Sequence, residues 1–275
     1  MRTADISIWH KQLMDPSGRR IADRHNRLGK TMVIDKGMGL SAFRDFLDVS
    51  GQYADMIKLG FGTAVLYPPE LLRGKLEAAS EKGIIILPGG TLLEAAIAQQ
   101  AVSSFLDTIC ELGFSGLEVS DGTIELDRKR RTALINEGVK RGLYVMTEYG
   151  KKAAGSAIDP DELAFTAECD FDAGAELVTI EARESGIDIG LFDEQGRCKE
   201  DVLHEVLEKV GSCGRIMWEA PLKSQQAELL NQFGPSVHLG NVAPADALAL
   251  EAMRRGLRSD TFDFGNREEM IDYMI

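Results

Sequence analysis

The 275-residue chain has no uninterrupted apolar run approaching the roughly 18 residues of a membrane span, and its first residues, MRTADISIWHKQLMDPSGRR, carry no apolar stretch of the kind a secretion signal needs. A soluble, cytoplasmic protein without a membrane partner is expected. Cysteine is sparse: Cys110, Cys169, Cys198 and Cys213 show neither CxxC nor Cys/His metal spacing, which fits reduced thiols and excludes a zinc ribbon. Histidine is as scarce. His10 and His25 precede the first strand pattern, His204 sits in a helical pattern, and His238 stands one residue inside a strand, where a structural role fits. Positive charge is in deficit, 31 basic against 44 acidic residues for a net −13, which opposes binding of nucleic acid or an anionic bilayer. The densest basic cluster, Asp127-Arg-Lys-Arg-Arg131, reads as a solvated helix face. No Walker loop, HExxH or nucleophile elbow occurs, and no Ser or Cys has a triad partner by pattern.

What the chain does have is alternation. Strand patterns fall at 31–37 (TMVIDKG), 55–61 (DMIKLGF), 83–89 (GIIILPG), 116–122 (GLEVSDG), 144–150 (YVMTEYG), 176–183 (ELVTIEAR), 214–220 (GRIMWEA) and 237–242 (VHLGNV). Between them lie helix-length segments with apolar residues three and four apart, such as TLLEAAIAQQAVSSFLDTICELG and DPDELAFTAECDFDAG. Thr91 with Glu94 suggests a capping box, Asp159-Pro160 a helix start, and Gly113 and Gly174 helix stops. Strands separated by helices are parallel, and eight such units in a chain of this length predict one α/β domain, a (β/α)8 TIM barrel of eight parallel strands. An open doubly wound sheet is the competitor, but no GxGxxG follows the first strand. The expected organisation is an N-terminal extension at 1–30, the barrel at 31–262 and an acidic tail at 263–275.

Polar residues gather at the strand C-termini, the end where barrels build active sites. These are Asp35 and Lys36 after strand 1, Lys58 on strand 2, Glu118, Ser120 and Asp121 on strand 4, and Glu148 then Lys151 on strand 5. Glu181 and Arg183 close strand 6, Glu219 strand 7, and Gly240 and Asn241 strand 8. Side chains alternate along a strand, so Glu181 and Arg183 should share a face with Thr179, either as a salt bridge or as part of a site. Converging acids repel unless lysines or a divalent cation neutralise them. With no His or Cys ligands that cation would be hard, and Mg2+ fits. Gly240-Asn241 before a helix is a candidate anion loop, and Arg183 is a guanidinium suited to phosphate or carboxylate.

Together TMVIDKGMG, DMIKLGFGT, LPGGTLLE, GLEVSDGTIEL, TIEARESG, WEAPLKSQQ, GPSVHLGNV and RRGLRSDTF, from about residue 31 to 262, resemble the phosphosulfolactate synthase family, which includes heat-stress-associated plant relatives. The resemblance implies a Mg2+-dependent carbon–sulfur lyase that adds sulfite to C3 of phosphoenolpyruvate and protonates C2 to give (2R)-O-phospho-3-sulfolactate, on the way to coenzyme M or sulfolactate. Within it, Lys151 is the first candidate for the proton donor, Lys58 the second, and Lys36 could do either job. Glu118, Glu148, Glu181 and Glu219 are candidate metal ligands, direct or through water. Arg183, Gly240 and Asn241 are assigned to phosphate or carboxylate, with Arg258 a looser anion candidate. A homo-oligomer is expected. The alternatives are a Schiff-base aldolase using Lys58 or Lys151, and a diverged, non-catalytic stress-associated barrel.

Overall fold

The computed structural model describes residues 8–20, 29–153, 155–210 and 213–265. His25, most of the segment 21–30 and the acidic residues beyond 265 lie outside the described residues. Each of the eight strand patterns contains one strand. These are β1 (Thr31–Asp35), β2 (Met56–Leu59), β3 (Ile85–Pro88), β4 (Gly116–Val119), β5 (Tyr144–Tyr149), β6 (Leu177–Ile180), β7 (Ile216–Glu219) and β8 (His238–Val242). All neighbours pair parallel in the order β3-β2-β1-β8-β7-β6-β5-β4. β1 against β8 joins the two ends of the chain. Between β3 and β4 the ladder is replaced by the Ser115 amide donating to the Ile86 carbonyl (3.1 Å) and the Ile86 amide donating to Ser115 Oγ (3.0 Å), so the sheet is a nearly closed (β/α)8 barrel.

Period-two alternation divides the strands between two environments. Outward residues such as Val33, Ile57, Ile86, Val145, Val178 and Trp218 are buried under the surrounding helices. Inward residues begin as an apolar floor of Met32, Met56, Leu87, Met146, Leu177 and Met217. Two residues further along, the same faces of β2, β5 and β7 carry Lys58, Glu148 and Glu219. The methionine layer therefore seals the lumen beneath a charged layer at the strand C-termini.

Two local expectations change. The long apolar segment after β3 forms two helices, Gly90–Ala98 and Val102–Leu112, because Gln100 takes a left-handed φ of 56°. An unbroken helix of that segment would run roughly 34 Å, longer than the strand layer it must cover. The Thr91/Glu94 capping box does not form: Gly89 is the N-cap, and Glu94 turns into the barrel mouth. Asp159 does cap its helix, accepting from the amides of Asp161 and Glu162, and Gly113 ends its helix at φ 94°.

At the opposite end, the segment 14–20 packs against the helix Ala247–Arg254 and the residue after it. Arg20 meets Glu251 at 2.8 Å, and the Ser17 amide donates to the Arg255 carbonyl. His238 is structural, as its position predicts. Its Nδ1 accepts from the Lys30 amide (2.8 Å), which leaves Nε2 as donor to the Gly214 carbonyl (2.9 Å). Burial is the main cause that lowers its pKa to about 4, since protonation would also remove the Nδ1 acceptor. A depressed folded pKa contributes stability that is complete above the unfolded value near 6.5 and is lost as pH falls through 4. His238→Gln should remove up to about 3 kcal/mol of the stability difference between pH 7 and pH 4, read by urea unfolding at both pH values.

Candidate active site

Five carboxylates and two lysines fill the mouth of the barrel. Lys58 Nζ lies 2.8 Å from Glu219, 3.1 Å from Glu118 and 3.6 Å from Glu148, and all four side chains are buried. Lys152 enters from the turn after β5, with Nζ 3.0 Å from Glu148, 3.6 Å from Glu94 and 3.7 Å from Glu181. Backbone and hydroxyl donors fix several of the acids. The Gly90 amide donates to Glu118 (2.7 Å), Ser120 Oγ and the Thr123 amide donate to Glu94, the Ala182 amide to Glu219 (3.0 Å) and the Arg183 amide to Glu181 (2.5 Å). Five carboxylates against two ammonium groups leave three negative charges in excess if all are ionised.

That excess dictates the protonation states. Burial drives the Glu118 carboxyl up to about 7, with Lys58 opposing and Glu148 and Glu219 adding to the rise. Burial also pushes Glu181 far above the carboxylate range, reinforced by Glu148 and Glu219. Glu148 goes the other way: burial would raise it, but Lys152 and Lys58 outweigh that and hold it ionised. Of these two neighbouring acids, Glu181 is the one whose charge is disfavoured and Glu148 the one whose charge is held. Both lysines are raised, because their carboxylate neighbours more than cancel the burial that would lower them.

Oxygen atoms from Glu148, Glu181 and Glu219 lie within 4.8 Å of one another. Glu148 Oε1 and Glu181 Oε2 are buried, with Lys152 Nζ 3.0 Å from the first and 3.7 Å from the second, and among the described residues neither has a hydrogen bond of regular geometry. Unpartnered carboxylate oxygens in a surplus of negative charge suit a hard divalent cation, so the residues present fit Mg2+. Glu181→Gln tests this cleanly. Glutamine mimics the protonated acid, so the melting temperature without metal should stay within a degree or two of wild type, while Mg2+ affinity measured by calorimetry should fall about 10- to 100-fold.

Placement of the remaining candidates is mixed. Lys151 does not join the cluster: its Nζ donates to the carbonyls of Asp121 (2.9 Å) and Ile124 (3.1 Å) and lies 3.4 Å from Glu125, so it pins the loop after β4 at the surface. The Gly150 turn, at φ 125°, changes which of the paired lysines faces inward, and Lys152 takes the place expected for Lys151. Gly122 makes room for it, since a Cβ there would meet Lys152 Cγ and Cε at 2.9 Å. Lys36 stands half exposed at the mouth, 3.9 Å from Glu184. Arg183 departs from its strand at φ 57° and is exposed, so it shares no face with Glu181. Among the described residues its guanidinium has no hydrogen-bond or salt-bridge partner. Asn241, also left-handed at φ 53°, donates to the Arg183 carbonyl (3.3 Å).

Two anion candidates are displaced. Gly240 lies inside β8, where a Cβ would meet Met32 Cε at 3.0 Å and Met217 Sδ at 3.2 Å, so it accommodates the methionine floor and does not form a loop. Arg258 pairs with Asp260 beyond the last helix, beside Asn231 near the end of the helix Lys223–Phe233. That is the strand N-terminal end of the barrel, away from the site. The basic cluster at 127–131 is not wholly solvated either. Arg131 is buried, holds Asp170 with two nitrogens and donates to the Glu148 carbonyl (3.0 Å), anchoring the strand end that carries Glu148.

The model of the family described as (2R)-phospho-3-sulfolactate synthase (ComA) matches residues 19–260. The chain belongs to the phosphosulfolactate synthase family. It is 40% identical over 235 residues to the phosphosulfolactate synthase of Methanothermobacter thermautotrophicus, covering 85% of this chain and 91% of that one. The Arabidopsis thaliana protein HEAT-STRESS-ASSOCIATED 32 is 23% identical over 234 residues, covering 77% of this chain and 79% of the relative. A crystal structure of 3-hexulose-6-phosphate synthase superposes with a TM-score of 0.52 at 15% identity, over 81% of this chain and 98% of that one, and shares the barrel fold. Membership in the synthase family bears out the reading of this chain as an enzyme of the lyase class. No helix among the described residues is long and apolar enough to cross a membrane.

Proposed function

We propose that the chain is a Mg2+-dependent phosphosulfolactate synthase that joins sulfite to C3 of phosphoenolpyruvate and protonates C2. The observation that carries this reading is the convergence of Glu148, Glu181 and Glu219 near the Lys152 ammonium at the strand C-terminal end of the barrel. As the C–S bond forms, the electron pair of the C2–C3 double bond moves toward C2 and the carboxylate, building an enediolate. Glu148, Glu181 and Glu219 would hold a Mg2+ ion, which would supply positive charge where that negative charge develops. Lys152 then gives its proton to C2 and is reprotonated from solvent. Its carboxylate neighbours keep it protonated at neutral pH, so the proton is in place when charge develops at C2. Lys58, enclosed by three glutamates, acts as fixed counter-charge for the site. Arg183 and Lys36 at the mouth hold the phosphate or carboxylate of the incoming substrate.

A Schiff-base aldolase would need a neutral amine. The raised pKa of both Lys58 and Lys152 works against that reading, and Lys151 is tied to backbone carbonyls outside the cluster. Phosphorus NMR of the protein with phosphoenolpyruvate, sulfite and Mg2+ tests the proposal. A new phosphate-ester resonance that requires both sulfite and metal, and disappears with EDTA, is the expected result. An unchanged phosphoenolpyruvate signal from folded protein would favour the diverged, non-catalytic alternative.

A further inference from the structure

Thr179 lies in the middle of β6, between Leu177 of the methionine floor and Glu181 of the carboxylate cluster, on the same inward face as both. Its register partners are Glu148 on β5 and Met217 on β7. In parallel pairing, partners project to the same side, so the threonine sits next to one glutamate of the cluster and directly beneath another. The side chain is fully buried, and among the described residues its hydroxyl has no hydrogen-bond partner. Met217 beside it and Met146 and Leu177 below offer it none. A buried hydroxyl without a partner opposes folding, and valine, of nearly the same shape, would avoid the penalty. Glu148 beside it and Glu181 above it each carry a buried oxygen, Oε1 and Oε2, that has no hydrogen bond of regular geometry among the described residues, although Lys152 approaches both.

We infer that Thr179 is a further member of the metal centre, its hydroxyl supplying a neutral oxygen to the cation's coordination from the floor of the site, directly or through one water. This rests on the metal reading above. Mg2+ takes a near-octahedral set of oxygens, and three carboxylates leave positions for neutral donors. A threonine on a rigid strand gives such a donor without adding to the excess negative charge around it. A cation seated there would give the unpartnered hydroxyl its partner and fill the acceptor capacity that the two carboxylate oxygens keep beside Lys152.

The test is calorimetric titration of Mg2+ into wild-type protein and into Thr179→Val, Thr179→Ala and Thr179→Ser, with melting temperatures measured in EDTA and in saturating Mg2+. Valine should melt in EDTA at or above the wild-type temperature, yet bind Mg2+ about tenfold more weakly and gain less stability from it. Alanine should show the same weakened binding, which covers the case in which valine packs badly. Serine, which keeps the hydroxyl, should bind nearly as wild type does. Wild-type affinity in folded valine or alanine variants would overturn the assignment of Thr179 while leaving the carboxylate site intact. Absence of Mg2+ binding by the wild type itself would overturn both.

Discussion

Replacing Lys152 by methionine is expected to lower kcat by roughly 10²- to 10⁴-fold, the range associated with loss of a general acid, with a much smaller change in KM for phosphoenolpyruvate. Methionine keeps most of the length and none of the charge, so Glu148 and Glu181 would also lose a neutralising neighbour. Lys152→Arg separates these effects. Arginine preserves the charge but presents its protons from a planar fork in a different place, so it should keep the wild-type melting temperature while turnover stays low. Lys151→Ala is the paired control. Lys151 contacts backbone carbonyls of the loop after β4 and is 44% exposed, so turnover should change by no more than a few-fold. Steady-state kinetics on the three variants decide between two adjacent lysines, and near-normal turnover in both Lys152 variants would remove that residue from the chemistry.

Lys58→Met should give the largest loss of stability. Its ammonium is shared by Glu118, Glu148 and Glu219, each almost fully buried, and removing one partner from a buried charge cluster typically costs about 3–5 kcal/mol. For a chain of this size that corresponds to a fall in Tm on the order of 10 °C. The loss should depend on pH in a definite direction. With Lys58 present, the Glu118 carboxyl already has a folded pKa near 7, above its ordinary value of 4.5. A raised carboxyl pKa means the folded state binds more protons, so this contribution is complete below 4.5 and is lost as pH rises through the folded value. Removing the lysine raises that value further. The deficit of the variant relative to wild type, measured by thermal unfolding, should therefore be greater at pH 8 than at pH 6; a deficit independent of pH would mean that the glutamates find other partners.

The architecture was legible because it depends on patterns that survive any detail of packing. Alternating apolar strands and amphipathic helices identify parallel pairing, and the count of eight closes the barrel. Glu118, Glu148, Glu219 and Lys58 were equally legible, since they sit on regular strands whose two-residue period specifies the face. Legibility ended where regular backbone ended. Lys151 and Lys152 are adjacent, and the positive-φ turn at Gly150 decides which of them points inward. Arg183 was misplaced for the same reason, its left-handed backbone turning it away from Glu181. Glu94 has the spacing of a capping residue, and only the tertiary approach of its helix to β4 makes it a site residue. Gly240 has the composition of an anion loop, but the strand runs on past it to Val242.

A crystal grown or soaked with Mn2+ and phosphoenolpyruvate, measured for anomalous scattering near the manganese edge, would locate the cation itself. The structure leads us to expect one strong peak roughly 2 Å from oxygen atoms of Glu148, Glu181 and Glu219, with Lys152 Nζ facing the substrate's C2. A peak elsewhere in the barrel, or phosphoenolpyruvate bound with no metal peak beside these three glutamates, would contradict the proposed chemistry at its base.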